Sequence, residues 1–143
     1  VVEILGETHR FPALDRLEGA LRALLEAEGL SEREVTVVLL GDEAMAERNA
    51  ADRGVPGPTD VLSYPSSEPD DVGVPEVAHL GDVLIDLDAA ARQAPDHGHG
   101  TTEEVLVLAA HGLTHLRGFD HPDDASWAPF LDAQRWILAW SGR

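Results

Sequence analysis

The amino-acid sequence predicts an α+β fold: a small mixed β-sheet of about four strands with helices packed on it. Two observations carry this. Apolar runs of strand length recur at VVEIL, VTVVLL, TDVLSY and LGDVLIDL, and leucines at helical spacing separate the first two of them. At 143 residues the chain is the size of one ordinary domain, so residues 1–143 are read as a single unit.

The N-terminal VVEIL has no basic segment ahead of an apolar stretch, so it reads as a first strand rather than a secretion signal. Leu14, Leu17, Leu21, Leu24 and Leu25 then recur between Arg and Glu residues, giving an amphipathic helix over 13–28 that ends at Gly29. VTVVLL at 35–40 is β-branched and bounded by charge and Gly41, as a buried strand is. Asp42 is a good N-cap for a second helix ending near Arg53, with Gly54 as its left-handed stop. VPGP at 55–58 is a turn; strands follow at TDVLSY and at 80–87, separated by the acidic, Pro-rich and Ser-rich loop PSSEPDDVGVPE. Residues 88–94 suit a short helix closed by Pro95. Thr101 and Glu104 match a T-x-x-E capping box, and VLVLAAHGLTHLR continues that helix to Gly118. A last helix over roughly 126–140 carries Trp127, Phe130 and Trp140, aromatics expected in the core.

Ten basic residues, all of them arginine, stand against twenty-seven acidic ones, a net charge of -17. Such a field repels polyanions at long range, so a nucleic-acid site on this chain must be a local patch rather than a basic face. The absence of cysteine excludes disulfides and thiolate metal ligands and suits a cytoplasmic protein. No apolar run approaches the ~20 residues that a bilayer-spanning helix needs, so no membrane association is expected.

The pattern H-x-x-x-H-x-x-G-x-x-H runs from His111 through His115 to His121. Four residues of helix return a side chain to nearly the same face, so His111 and His115 can converge on one ion. Gly118 falls where the helix should stop, and His121 can then swing round as the third ligand. Three imidazoles with an open fourth position are the arrangement of a catalytic rather than a structural zinc site. One Zn2+ per chain is expected, with nickel or another transition metal as alternatives. The spacing also matches the metzincin peptidase pattern, except that Gly112 replaces the glutamate that serves there as general base. Peptide hydrolysis is therefore not expected.

HGLTHLRGFDH at 111–121 closely resembles the signature of the YbeY family of bacterial ribonucleases and ribosomal-RNA maturation factors. NAADRGVPGPTDVLSYP at 49–65 and LGDVLIDLDAAARQAPDHGHGTTEEV at 80–105 resemble two further blocks of that family, in the same order. The resemblance implies a metal-dependent endoribonuclease acting on single-stranded RNA, in the maturation of small-subunit ribosomal RNA ends and in ribosome quality control. It implies His111, His115 and His121 as metal ligands, on a central helix and its following turn, and Arg53 as the arginine of the active cleft. Its partners would be single-stranded or ribosomal RNA, with ribosomal proteins or other ribosome-associated factors. Thr114, Arg117 and Phe119 stand where the family more usually has Leu, Leu and Tyr; Arg117, about 600° of helix after His111, should point away from the metal face.

Several polar residues have simpler roles open to them. His97 and His99, just before the metal helix, suit loop hydrogen bonds, and Asn49, Thr59, Asp60, Ser63 and Asp82 suit caps or strand ends. Asp120 is either an acceptor orienting a ligand imidazole or a turn former. Two other functions remain open: a ribosome-assembly factor whose metal is structural, and a hydrolase of another ester or amide.

Overall fold

Strand β1 (Val2–Gly6) and strand β2 (Glu34–Leu40) pair in parallel, so the chain between them must cross back over the sheet, and helix α1 (Leu14–Ala27) makes that crossing. The computed structural model describes residues 1–66, 79–119 and 127–140. Strand β3 (Val61–Pro65) follows helix α2 (Asp42–Arg53), and strand β4 (His79–Asp86) inserts between β2 and β3, parallel to the first and antiparallel to the second. The sheet order is β1-β2-β4-β3, which leaves β3 as an antiparallel edge. Helices α3 (Leu87–Gln93), α4 (Thr101–Leu116) and α5 (Ala128–Ala139) complete the α+β fold. No helix among the described residues is long and apolar enough to cross a membrane.

The strands are apolar on both faces because helices cover both. Val35, Val37 and Leu39 of β2 join Val83 and Ile85 of β4 in the main core, with the leucines of α1 and the apolar residues of α4. On the opposite face Val38, Leu40, Leu62 and Leu84 gather around Met45 of α2. Successive side chains on a strand alternate between faces, so each strand feeds both clusters. α4 lies between the sheet and α5, and from Glu104 to Leu116 only Val107, His111 and His115 are not fully buried. Thr114 is wholly buried and donates its hydroxyl to the Ala110 carbonyl at 2.8 Å, so a polar residue is accommodated without loss.

Several helix ends differ from the expectation. Gly41, not Asp42, is the N-cap of α2; the Asp42 amide donates to Asp88 Oδ2 at 2.9 Å, and its carboxylate takes Arg92 through two bonds of 2.6 and 3.0 Å. A long-range arginine competes successfully for the carboxylate that local sequence would assign to a cap. Likewise Gly100 is the N-cap of α4, and it is Glu103 that accepts from the Gly100 amide, at 3.1 Å, while Glu104 turns inward. Pro95 opens a 3-10 turn over Ala94–His97 instead of closing the preceding helix, a first-turn position where its missing N–H costs nothing. Gly54 ends α2 with φ +67, as the sequence predicts. Of the three aromatics expected in the core, Phe130 is fully buried, while Trp127 and Trp140 are half-buried. Most of the acidic loop lies outside the described residues.

Candidate active site

One face of α4 carries His111 and His115, and their Nε2 atoms stand 3.2 Å apart. Two nitrogens each about 2.0–2.1 Å from one tetrahedral ion stand about 3.3 Å apart, so the pair suits a single transition metal. Each imidazole ring also packs on Phe130, at 4.8 Å between centroids, which fixes its orientation. Downstream, Gly118 adopts φ +97 and the Phe119 amide reaches back to the Thr114 carbonyl at 3.4 Å, closing the helix. That turn sets the Phe119 carbonyl 3.1 Å from His115 Nδ1. A carbonyl can only accept, so Nδ1 carries the proton and Nε2 offers its lone pair, the tautomer a metal requires. His121 and Asp120 lie outside the described residues.

Arg53, from the far end of α2, meets these histidines across a cleft of about 450 Å³ whose lining includes His111, His115, Ser63, Tyr64 and Arg53. The αL turn at Gly54 stops α2 so that its last side chain faces β3, the edge strand. Arg53 is exposed, as a group that meets a ligand must be. A second guanidinium, Arg48, lies 5.6 Å over the Tyr64 ring, and the Tyr64 hydroxyl donates to Asp52 Oδ2 at 2.7 Å. Burial, followed by that hydrogen bond, raises the Tyr64 phenol above its ordinary value. Arg48 is also paired with Asp52 at 3.3 Å, so among the described residues Arg53 is the arginine that lines the cleft of this otherwise acidic protein.

Gly112 sits between the two histidines, against the sheet. A Cβ there would lie 2.5 Å from Val83 Cγ1 and 3.2 Å from Ser63 Oγ, and Ser63 donates to the Gly112 carbonyl at 3.3 Å. No side chain fits, so the position where metzincins keep a glutamate has no room for one. Arg117 turns the other way, its Nε 3.1 Å from Glu28 and its guanidinium over the Phe119 ring.

The group that sequence reasoning misread is Glu104. Its carboxylate is 1% exposed and accepts from Gln93 Nε2 at 3.0 Å, His97 Nδ1 at 2.8 Å and His99 Nε2 at 2.6 Å. Burial alone would raise its pKa, but these donors outweigh burial and hold it below the usual value. The same hydrogen bond raises His97. The ligand atoms of His97, His99 and Glu104 are close enough together to hold a metal ion. The signal available in the sequence was spacing: Glu104 precedes His111 by seven residues, within about 20° of two full turns, and so shares its face. Elsewhere Asn49, inside α2 rather than at a cap, donates to the Gly57 carbonyl at 2.8 Å, and His79 bonds Asp82 at 2.9 Å within β4 rather than at its end.

The family model described as Endoribonuclease YbeY matches residues 7–141. Among curated proteins, the chain is 48% identical over 124 residues to Endoribonuclease YbeY of Thermus thermophilus, covering 87% of this chain and 88% of that one. It is 44% identical over 137 residues to the protein of the same name from Deinococcus radiodurans, covering 88% and 86% of the two chains. The solution structure of a Thermotoga maritima protein superposes with a TM-score of 0.68 at 26% identity, covering 96% of this chain and 87% of that one.

Proposed function

The chain belongs to the YbeY endoribonuclease family, and from that premise we propose that residues 1–143 form one metal-dependent, single-strand-specific endoribonuclease domain. Its proposed role is cytoplasmic: maturation of small-subunit ribosomal RNA ends and ribosome quality control, on ribosomal RNA and beside ribosomal proteins or other ribosome-associated factors. The observation that carries the reading is the meeting of Arg53 with His111 and His115 in one cleft. A metal site alone would serve many hydrolases; an arginine across from it suits a phosphodiester.

His111, His115 and His121 would hold the ion, zinc being the first candidate among transition metals. When bound, the ion supplies Lewis acidity that offsets charge on the phosphodiester and makes water a better nucleophile. The chain's own residues do the rest. The Phe119 carbonyl holds His115 in its ligand tautomer. Arg53 can bind two phosphate oxygens at once through its planar donors and neutralise charge that builds as the phosphorus becomes five-coordinate. Tyr64, tied to Asp52 and covered by Arg48, keeps the far wall of the cleft in place. Single strands suit such a site, because their unpaired bases can be splayed into adjoining pockets.

The test is cleavage of single-stranded and duplex RNA by purified protein, with metal content measured on the same sample. Single strands should be cut and duplexes spared, and His115→Ala should lose both the metal and the activity. Stoichiometric metal with RNA binding but no cleavage would favour an assembly factor with a structural metal; cleavage unchanged in His115→Ala would remove the histidines from the chemistry.

A further inference from the structure

A second cavity, of about 290 Å³, opens on the same face of α4, and its lining includes Asp60, Gln93, His97, His111, Trp127 and Gln134. His111 and Val61 line both this cavity and the Arg53 cleft, so the two spaces meet at the His111 imidazole. The volume is at the small end of ligand pockets, which run from about 300 Å³ upwards. Its character differs from that of the cleft. Among the described residues no arginine lines it, and the Glu104 carboxylate at one end is already occupied by His97, His99 and Gln93. What it offers an occupant is a flat indole, a carboxylate and an amide: Trp127, Asp60 and Gln134. Trp127 is half-buried, with its ring 5.9 Å from that of His111 and 5.8 Å from that of Phe130. The indole thus packs among aromatic rings, and the residue also lines the cavity.

We propose that this cavity is a nucleobase subsite, which receives the base of a nucleotide adjoining the phosphate held in the Arg53 cleft. Trp127 supplies the stacking surface, because every base has a π-face and an indole is the largest aromatic partner. Asp60 supplies discrimination. A carboxylate only accepts hydrogen bonds, so it favours a base edge that presents N–H donors, and guanine presents two side by side, at N1 and at the 2-amino group. The chain thereby splits recognition between two walls of one helix: charge for the phosphate on one side of His111, stacking and edge reading for the base on the other. This inference rests on the endoribonuclease reading, and it deepens that reading by naming the base.

The experiment reads nucleotide binding separately from cleavage. Guanosine and cytidine 5′-monophosphate are titrated into the metal-loaded protein while tryptophan fluorescence is followed, in the wild type, Trp127→Phe and Asp60→Asn. Single-stranded oligonucleotides that differ only in the base beside the cut are then compared as substrates. Guanosine monophosphate should quench the wild type and bind more tightly than the cytidine nucleotide. Trp127→Phe should lose most of the quench, and Asp60→Asn should lose the preference for guanine. In cleavage, Trp127→Ala should lower kcat/KM about ten- to hundredfold, mainly through KM, with metal content and circular dichroism unchanged. An equal quench in Trp127→Phe, or the same guanine preference in Asp60→Asn, would overturn the subsite even if RNA is cut normally. Nucleotide binding at Trp127 by a metal-loaded protein that cuts no RNA would instead overturn the nuclease reading and leave the subsite standing.

Discussion

Arg53 has two physical reasons to stand where it does, and they predict different things. As the last residue of α2 it places a cation beside the helix C-terminus, where the aligned peptide dipoles favour positive charge. That role concerns stability alone, and on an exposed surface it is small. As a member of the His111 and His115 cleft it can instead contact the phosphate. If it does, Arg53→Ala should keep the fold and the metal but slow RNA cleavage about 30- to 1000-fold, roughly 2 to 4 kcal/mol of transition-state stabilisation. Arg53→Lys should recover only part of this, because an ammonium keeps the charge without the two-pronged geometry. Near-wild-type cleavage by Arg53→Ala would leave only the dipole. The pairing of His111 with His115 was legible because a helix repeats every 3.6 residues, so i and i+4 fix the geometry locally. Glu104 was not: its partners include His97 and His99, and whether a carboxylate caps a helix or turns inward depends on the donors waiting inside.

At the level of the element, Gly112 decides how closely α4 approaches the sheet. In an open helix, replacing glycine by alanine stabilises by about 1 kcal/mol. Here the added Cβ would meet Val83 Cγ1 at 2.5 Å, within a packed core. Gly112→Ala should therefore destabilise, by about 1 to 3 kcal/mol in chemical denaturation, as overpacking does. A stabilised variant would show that the contact yields easily. The start of α3 carries a pH-dependent element. Asp86 caps this helix through Oδ1, accepting from the amides of Asp88 and Ala89. Burial, reinforced by the neighbouring Asp42 carboxylate, pushes the Asp86 carboxyl up to about 7, while Asp42, held chiefly by Arg92, is lowered to about 2. The folded protein thus binds a proton at Asp86 that the unfolded chain releases near 3.8. This contribution to stability is complete below that value and is lost as pH rises through about 7. Asp86→Asn keeps an acceptor for the cap and removes the titration, so its melting temperature should fall less than that of the wild type between pH 4 and pH 7. Parallel curves for the two proteins would contradict the assignment.

Over the whole molecule, a net charge of -17 must be reconciled with an RNA substrate. Among the described residues Arg53 is the arginine that lines the cleft, and Arg48, on the Tyr64 ring beside it, is paired with Asp52. Counterion release from a single strand contributes a log–log salt slope of about −0.7 per phosphate neutralised, so one or two contacts give about −0.7 to −1.4. Screening of the acidic remainder acts in the opposite sense. RNA affinity followed by anisotropy across a salt series should therefore change with a slope shallower than about −1.5; a slope near −4 would demand a basic face that the composition does not supply. What the sequence by itself determined is whatever rests on short-range periodicity and composition: strands where apolar runs alternate or fill, helices where leucines recur, the left-handed stop at Gly54, and the approach of His111 to His115. What only the tertiary structure decided is whatever depends on competition between distant partners. Arg92 took Asp42 from its cap, three donors drew Glu104 inward, Val83 closed the space beside Gly112, and the end of α2 carried Arg53 across to α4. The physical reason is that a backbone repeat is fixed within a few residues, whereas a side chain's final partner is chosen only when the packed core has brought every candidate within reach.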